Sequence, residues 1–291
     1  MKRRDFIRCG AAAAAGAYLQ PTLFQPHPSA STMAKRAQDI VTLGRTGIRV
    51  SRLAQGTGTH GVNKSSDQIR KLGDRGLSDL LVAGVDNGLS FWDLADQYGS
   101  HPHGRLALKT VARDKVVILT KTHATTQKEM REDLDRFRKE IGTDYLDIVL
   151  LHCMLDANWP RERAGAMEVL SEAKQKGIIR AHGVSCHDLG AMKTAAASDW
   201  VDVDLARINP AGVLMDGSPA TIVSVLRDMK RAGKGVIGMK ILGEGQLRNR
   251  VDEALRFALA QDAVDAFTIG ATSQRELEDL LARIPVASMP A

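Results

Sequence analysis

The sequence predicts a (β/α)8 barrel, and three observations carry that prediction. Eight short β-rich runs recur from residue 53 to residue 270, each ending in a polar residue or a glycine. Amphipathic helical stretches separate them, so strand and helix alternate throughout, which is the pattern of a parallel sheet wrapped in helices. The 291 residues match the roughly 250 that a closed eight-stranded barrel needs.

Residues 41–53 read as a hairpin around Arg45-Thr46-Gly47, placed to plug the bottom of the barrel. The strands are expected at 53–57, 90–93, 116–121, 146–152, 180–185, 201–209, 235–240 and 266–270. Between the first two, residues 68–87 carry Leu72, Leu77, Leu80, Leu81 and Val85 at helical spacing. Thr126-Gln127-Lys128-Glu129 has capping-box spacing and opens another helix. Ser273-Gln274-Arg275-Glu276 does the same for the last one, followed by Leu277, Leu280, Leu281 and Ile284 on one face. An open doubly wound sheet is the alternative fold, but Gly56-Thr57-Gly58 lacks the third glycine of a dinucleotide turn.

Hydrophobic residues make up 44% and charged residues 25% of the chain, as in ordinary globular proteins, while aromatics reach only 4%. The formal charge is +6. Half of it sits in the first 34 residues, where Lys2, Arg3, Arg4 and Arg8 face Asp5 alone. The high pI therefore gives little support for nucleic-acid binding. Cys9, Cys153 and Cys186 form no disulfide framework. Cys186-His187 has no CxxC partner, and His101-Pro102-His103 has no cysteine or acid at ligand spacing, so no metal is expected.

Residues 1–34 read as an address. Lys2-Arg3-Arg4-Asp5-Phe6-Ile7-Arg8 precedes a weakly hydrophobic, alanine-rich run and then small residues near Ala30–Ala34. This resembles a twin-arginine export signal. It implies the export machinery as a partner and a periplasmic or exported enzyme, either cleaved or anchored. The barrel would then occupy 35–291, with no second domain.

The predicted strand ends carry Asp93, Lys121, His152, Ser185, Asn209, Lys240 and Gly270. In a barrel these gather at one mouth, where such enzymes work. Ser185 and Asn209 have an equally ordinary reading as helix caps. Lys121 and His152 do not, because they follow apolar strands. Tyr98 lies five residues after Asp93.

Phe91-Trp92-Asp93-Leu94-Ala95-Asp96-Gln97-Tyr98-Gly99 resembles the DTAxxYG motif of the aldo-keto reductases, with Leu94 in the place of threonine. Residues 43–51, 144–152 and 177–185 resemble that family's opening hairpin, its DYxDxxLLH strand and its GKIRxxGVS strand, in the same order. The resemblance covers residues 43–284 and implies a nicotinamide-dependent carbonyl reductase. It casts Tyr98 as proton donor, with Lys121 lowering the phenol's pKa, Asp93 fixing Lys121, and His152 orienting the carbonyl. It implies cofactor contacts from Gly56, Thr57, Ser185, Asn209, Met239, Lys240, Leu242, Gly243, Gly270, Thr272 and Ser273. The last two would hold phosphate at a helix N-terminus.

Cys186 stands where the family has asparagine, and Leu205 and Ile208 where it has glutamine and tyrosine. Gly270, Ala271 and Glu276 replace a lysine, a serine and the arginine of a 2′-phosphate site, with Arg275 one place away. NADP(H) is expected by family default and NAD(H) stays open. His60, His123, Cys153, Trp159 and His187 fall in loops near the mouth. The last helix is followed by no long C-terminal loop, so the carbonyl substrate, aldehyde, ketone or sugar-like, is left undefined. The alternative function is a non-catalytic nicotinamide-sensing subunit on the same fold. A lyase using Lys121 as a Schiff base is a third, disfavoured by Asp93 and Tyr98. The oligomeric state is left open.

Overall fold

The hairpin expected at 41–53 forms from β1 (Ile40–Thr42) and β2 (Arg49–Ser51), paired antiparallel. The computed structural model describes residues 33–289. The chain divides into two units, Met1–Met33 and Ala34–Ala291. The twin-arginine stretch lies outside the described residues. Among those described, no helix is long and apolar enough to cross a membrane.

The hairpin turns tightly because Leu43 N–H donates to Ile48 O at 3.0 Å and Thr46 Oγ1 to Leu43 O at 2.7 Å. Gly44 has φ +47°, and a Cβ there would lie 2.4 Å from Gly233 O, so only glycine lets the turn dock on that loop. Leu43, Ile48 and Val50, at most 1% exposed, pack with Phe91, Val117 and Val203 at the starts of their strands. The hairpin therefore closes the N-terminal end of the barrel, as the sequence suggested.

Eight parallel strands close in the order β10-β3-β4-β5-β6-β7-β8-β9. They are β3 (Leu53–Gly56), β4 (Phe91–Asp93), β5 (Val117–Thr122), β6 (Leu146–Met154), β7 (Ile179–Cys186), β8 (Val203–Arg207), β9 (Gly235–Met239) and β10 (Ala266–Ile269). Around them lie α1 (Asp67–Asp86), α2 (His101–Ala107), α3 (Gln127–Ile141), α4 (Trp159–Glu162), α5 (Ala164–Gln175), α6 (Leu189–Ala197), α7 (Pro219–Arg231), α8 (Val251–Leu259) and α9 (Gln274–Ser288). The barrel is filled by Leu119, Ile148, Leu150, Ala181 and Leu205 among others. A second apolar layer joins the outer strand faces to the helices.

Two strand ends depart from expectation for local reasons. β6 runs past His152 to Met154 through an irregular register, with Cys153 at φ +63°. β8 stops at Arg207, short of Asn209. The Asn209 side chain folds the following loop by accepting from Ala211 N and Val213 N at 3.2 and 3.0 Å. α3 opens on the full capping box, Thr126 with Glu129. At α9 the box is displaced. Ser273 Oγ accepts from Glu276 N at 3.1 Å, but the Glu276 carboxylate accepts from Thr272 instead of the Ser273 N–H.

Candidate active site

Four side chains from consecutive elements of the barrel mouth converge. Asp93 ends β4, Lys121 sits in β5, His152 in β6, and Tyr98 in the loop after β4. Lys121 is 1% exposed, with its ammonium hydrogen-bonded to the Asp93 carboxylate and to Leu94 O at 2.9 Å. Its Nζ stands 4.7 Å from the Tyr98 ring centroid. Tyr98 Oη lies 3.4 Å from His152 Nε2. The two rings meet edge to face.

Burial governs the protonation states here. It pushes the Tyr98 phenol well above its ordinary value, and the Asp93 charge adds to that. The nearby Lys121 ammonium does not reverse that rise. The Lys121 charge is committed to Asp93, no hydrogen bond joins it to the Tyr98 hydroxyl, and burial pulls Lys121 itself down. His152 is held far below the usual imidazole range by burial and then by the Lys121 charge. Tyr98 is thus a protonated phenol beside a neutral imidazole. His152 Nδ1 is buried without a partner among the described residues.

The Tyr98 loop is held from both sides. A Cβ on Gly58 would lie 2.2 Å from the Tyr98 ring, and one on Gly61 2.3 Å from it. Behind the loop, Asp96 N–H donates to Lys121 O at 3.3 Å, and the Asp96 carboxylate accepts from Arg136 at 2.5 Å. Arg136 also pairs with Asp133 and Glu140, and Glu140 accepts from His101 at 2.7 Å. Asp96, His101 and Glu140 lie close enough together to resemble a metal site. Arg136 and Lys64 already match those carboxylates, so the cluster reads as a brace for the loop.

A cleft of about 440 Å³ opens beside this corner, between the ends of β3, β9 and β10 and the first turns of α1 and α9. Of the expected cofactor residues, Gly56, Met239, Lys240, Leu242, Gly270 and Thr272 line it, together with Asp93 and Tyr98. Thr57 is buried and donates to Asp93 O at 2.8 Å. Ser185 Oγ accepts from Cys153 N at 2.8 Å, tying β7 to the bulge after His152. Asn209 shapes its own loop and also donates to Lys240 O at 3.3 Å. Gly243 is buried against Val213. These four position the cleft's walls without lining it.

The expected phosphate site at Thr272 and Ser273 is already taken. Thr272 gives both its N–H and its hydroxyl to Glu276 Oε2, at 2.7 and 3.0 Å, and Ser273 caps α9. Arg275 is exposed and does not line the cleft. Lys240 is matched by Glu244 at 2.9 Å. Cys186 faces the outer core, where its thiol donates to the buried Asp204. Ile208 is also in that layer, whereas Leu205 reaches the cleft. Arg207 is paired with Asp216 and donates to His187 O at 3.0 Å. Trp159 is buried and donates to Ala191 O, a packing role.

Sequence reasoning missed Lys71 and Arg248, which line the cleft with no acidic partner among the described residues. It also missed Gln68. This buried side chain bonds Thr59 and leaves 2.4 Å for a Cβ at Gly270, which is why a long residue has no room there. Gly58 and Gly61 offered no signal in one dimension.

The match to known proteins agrees with this geometry. Residues 55–254 match the model of the Aldo/keto reductase family. An uncharacterized oxidoreductase of Bacillus subtilis, YrpG, is 28% identical over 133 residues, 38% of this chain and 38% of that protein. PA4992 of Pseudomonas aeruginosa, assigned to the aldo-keto reductases, superposes with a TM-score of 0.71 at 20% identity, over 90% of this chain and all of that one. The aldo-keto reductase AKR11C1 of Bacillus halodurans gives 0.65 at 18% identity, over 87% of this chain and 92% of that one. At such identities the two structures attest the fold.

Proposed function

This chain belongs to the aldo/keto reductase family and is an oxidoreductase, and we propose that it reduces an aldehyde or ketone using a nicotinamide dinucleotide, with Tyr98 as the proton donor. One observation carries the reading. The Tyr98 hydroxyl, kept protonated by burial, lines an open cleft while the neutral His152 sits 3.4 Å behind it.

The cleft fits a dinucleotide. Its volume lies in the range of cofactor pockets. Its walls are backbone at Gly56, Gly245 and Gly270, and Lys71 and Arg248 are free to face phosphate. Leu205 and Met239 would bound the nicotinamide ring. Glu276 and Asp279 lie at the α9 end, where carboxylates suit ribose hydroxyls and repel a 2′-phosphate. That charge pattern supports NADH over the NADPH of family default. When bound, the cofactor supplies the hydride.

The chain's own residues do the rest. Tyr98 donates its proton to the carbonyl oxygen as negative charge develops there. His152 holds that oxygen and cannot itself act as a cationic acid, being neutral. Lys121, fixed by Asp93 and Leu94 O, stands by the ring as the phenolate forms and stabilises it. The unpartnered His152 Nδ1 leaves the ring free to use either nitrogen.

The test is dinucleotide oxidation by the full chain with a panel of aldehydes and ketones. Tyr98→Phe is expected to lower turnover by about a thousandfold and to leave dinucleotide affinity within about twofold. Unchanged turnover would sink the mechanism. Dinucleotide binding without turnover on any carbonyl would favour the non-catalytic reading.

A further inference from the structure

We infer that Arg163 is the handle for an anionic group on the substrate, so that the carbonyl compound carries a carboxylate or phosphate on the side away from the cofactor. The inference rests on Tyr98 being the proton donor, because it is measured outward from that residue. His123 stacks on His152, with ring centroids 4.7 Å apart and planes at 27°. Its Nε2 is 2.6 Å from Gln97 Oε1, in the Tyr98 loop. Arg163 follows α4 and donates through Nη1 to His123 O at 2.6 Å and Ala124 O at 3.4 Å. The guanidinium is therefore anchored on backbone just past the C-terminal end of β5, at the residue whose ring stacks on His152, on the rim of the mouth.

Its charge has no acidic partner among the described residues. Arg207 is paired with Asp216, Lys240 with Glu244, and Arg136 with Asp96, Asp133 and Glu140. Among the described residues, no carboxylate lies within ion-pair distance of Arg163, whose partners are two neutral carbonyls. Those carbonyls occupy Nη1 and leave Nε and Nη2, the edge that meets a carboxylate or phosphate with two parallel hydrogen bonds. The surrounding imidazoles do not share the task. Burial keeps His123 and His187 below the usual imidazole range, His187 at about 3. Guanidinium and ammonium groups therefore set the positive field at this rim: Arg207 and Lys240 act on Cys153 first, and Arg163 adds to them.

Three matched substrates test this: 4-carboxybenzaldehyde, 4-formylphenyl phosphate and the neutral methyl 4-formylbenzoate. The full chain should favour one of the two anions over the ester by at least about tenfold in kcat/KM, and which one separates carboxylate from phosphate. Arg163→Gln keeps a donor for His123 O but removes the charge. It should cost the preferred anion about tenfold to a hundredfold, mostly through KM, and leave the ester within about threefold. Arg163→Lys should recover part of the loss. Arg161→Gln, on the exposed face of α4, should change nothing. No anion preference, or an equal loss on all three substrates, overturns the inference. Terephthalate and phenyl phosphate give a second readout by calorimetry that needs no turnover. Anion binding weakened by Arg163→Gln supports the handle even if no aldehyde is reduced, in which case the Tyr98 reading is the one that fails. Absence of anion binding to the native chain overturns it.

Discussion

The corner around Tyr98 and the opposite wall of the cleft each pair a lysine with a carboxylate, yet the two pairs behave oppositely. At the corner, lysine and aspartate are both buried, and each is the other's counter-charge. At the wall, Lys240 and Glu244 are paired with side chains 19% and 23% exposed, and Glu276 bonds to backbone and a hydroxyl instead of a cation. Water reaches the wall's ion pair and is shut out of the one at the corner. The corner must therefore keep its lysine and aspartate together, whereas the wall can exchange its residues without stranding a buried charge.

The sharpest way to break this comparison is to cut one ion pair in each region. Lys121→Met leaves Asp93 buried and uncompensated, which should cost about 3–5 kcal/mol of stability. Turnover should be lost with it. Lys240→Met frees a carboxylate that water reaches, and should cost no more than about 1 kcal/mol. Urea unfolding of both variants at neutral pH measures the contrast through the midpoint at constant slope. Similar losses in the two would show that burial is not what separates the regions.

A second test moves the acid without touching its chemistry. Gly58→Ala places a methyl 2.2 Å from the Tyr98 ring, so the ring or the loop must shift. Overpacking of this kind should cost about 1–3 kcal/mol. A displacement of about an ångström at the reacting group should lower kcat about a hundredfold. Away from the cleft, Gly177→Ala is a control, because nothing lies within 4 Å of the added carbon. That position has φ +71°, so it carries backbone strain alone, and kcat should hold. Equal kcat losses at both positions would mean that the corner tolerates no backbone strain, wherever it arises.

The same division explains what the sequence made legible. Asp93, Lys121 and His152 lie on strands of strict apolar pattern, so their positions on one mouth follow from the alternation alone. The α3 cap was legible because its partners, Thr126 and Glu129, are three residues apart. The contacts that support the corner and the wall span the chain. Gln68 takes the space over Gly270, and Gly58 makes room for Tyr98. Asp96 from the loop after β4, His101 from α2, and Arg136 and Glu140 from α3 assemble into a brace. No local spacing encodes such contacts. Even at short range, Glu276 bonds Thr272 where the capping-box spacing predicts the Ser273 N–H.

That choice leads to the smallest effect and the most specific one. Glu276 holds the loop after β10 by two hydrogen bonds and sets a negative charge at the α9 end of the cleft. Glu276→Gln keeps an oxygen for the Thr272 donors and removes the charge. If the wall selects against a 2′-phosphate by repulsion, affinity for NADPH should rise about tenfold, the size of one screened charge–charge contact at this exposure. Affinity for NADH should stay within about twofold. The NADPH gain should shrink as salt is raised from 50 to 500 mM, because exposed charges are screened within about a Debye length. Fluorescence titration of both dinucleotides at the two salt concentrations reads it directly. An unchanged NADPH-to-NADH ratio would mean that Glu276 serves the loop alone and that cofactor choice lies elsewhere, with Asp279 the next cleft-lining carboxylate of α9 to test.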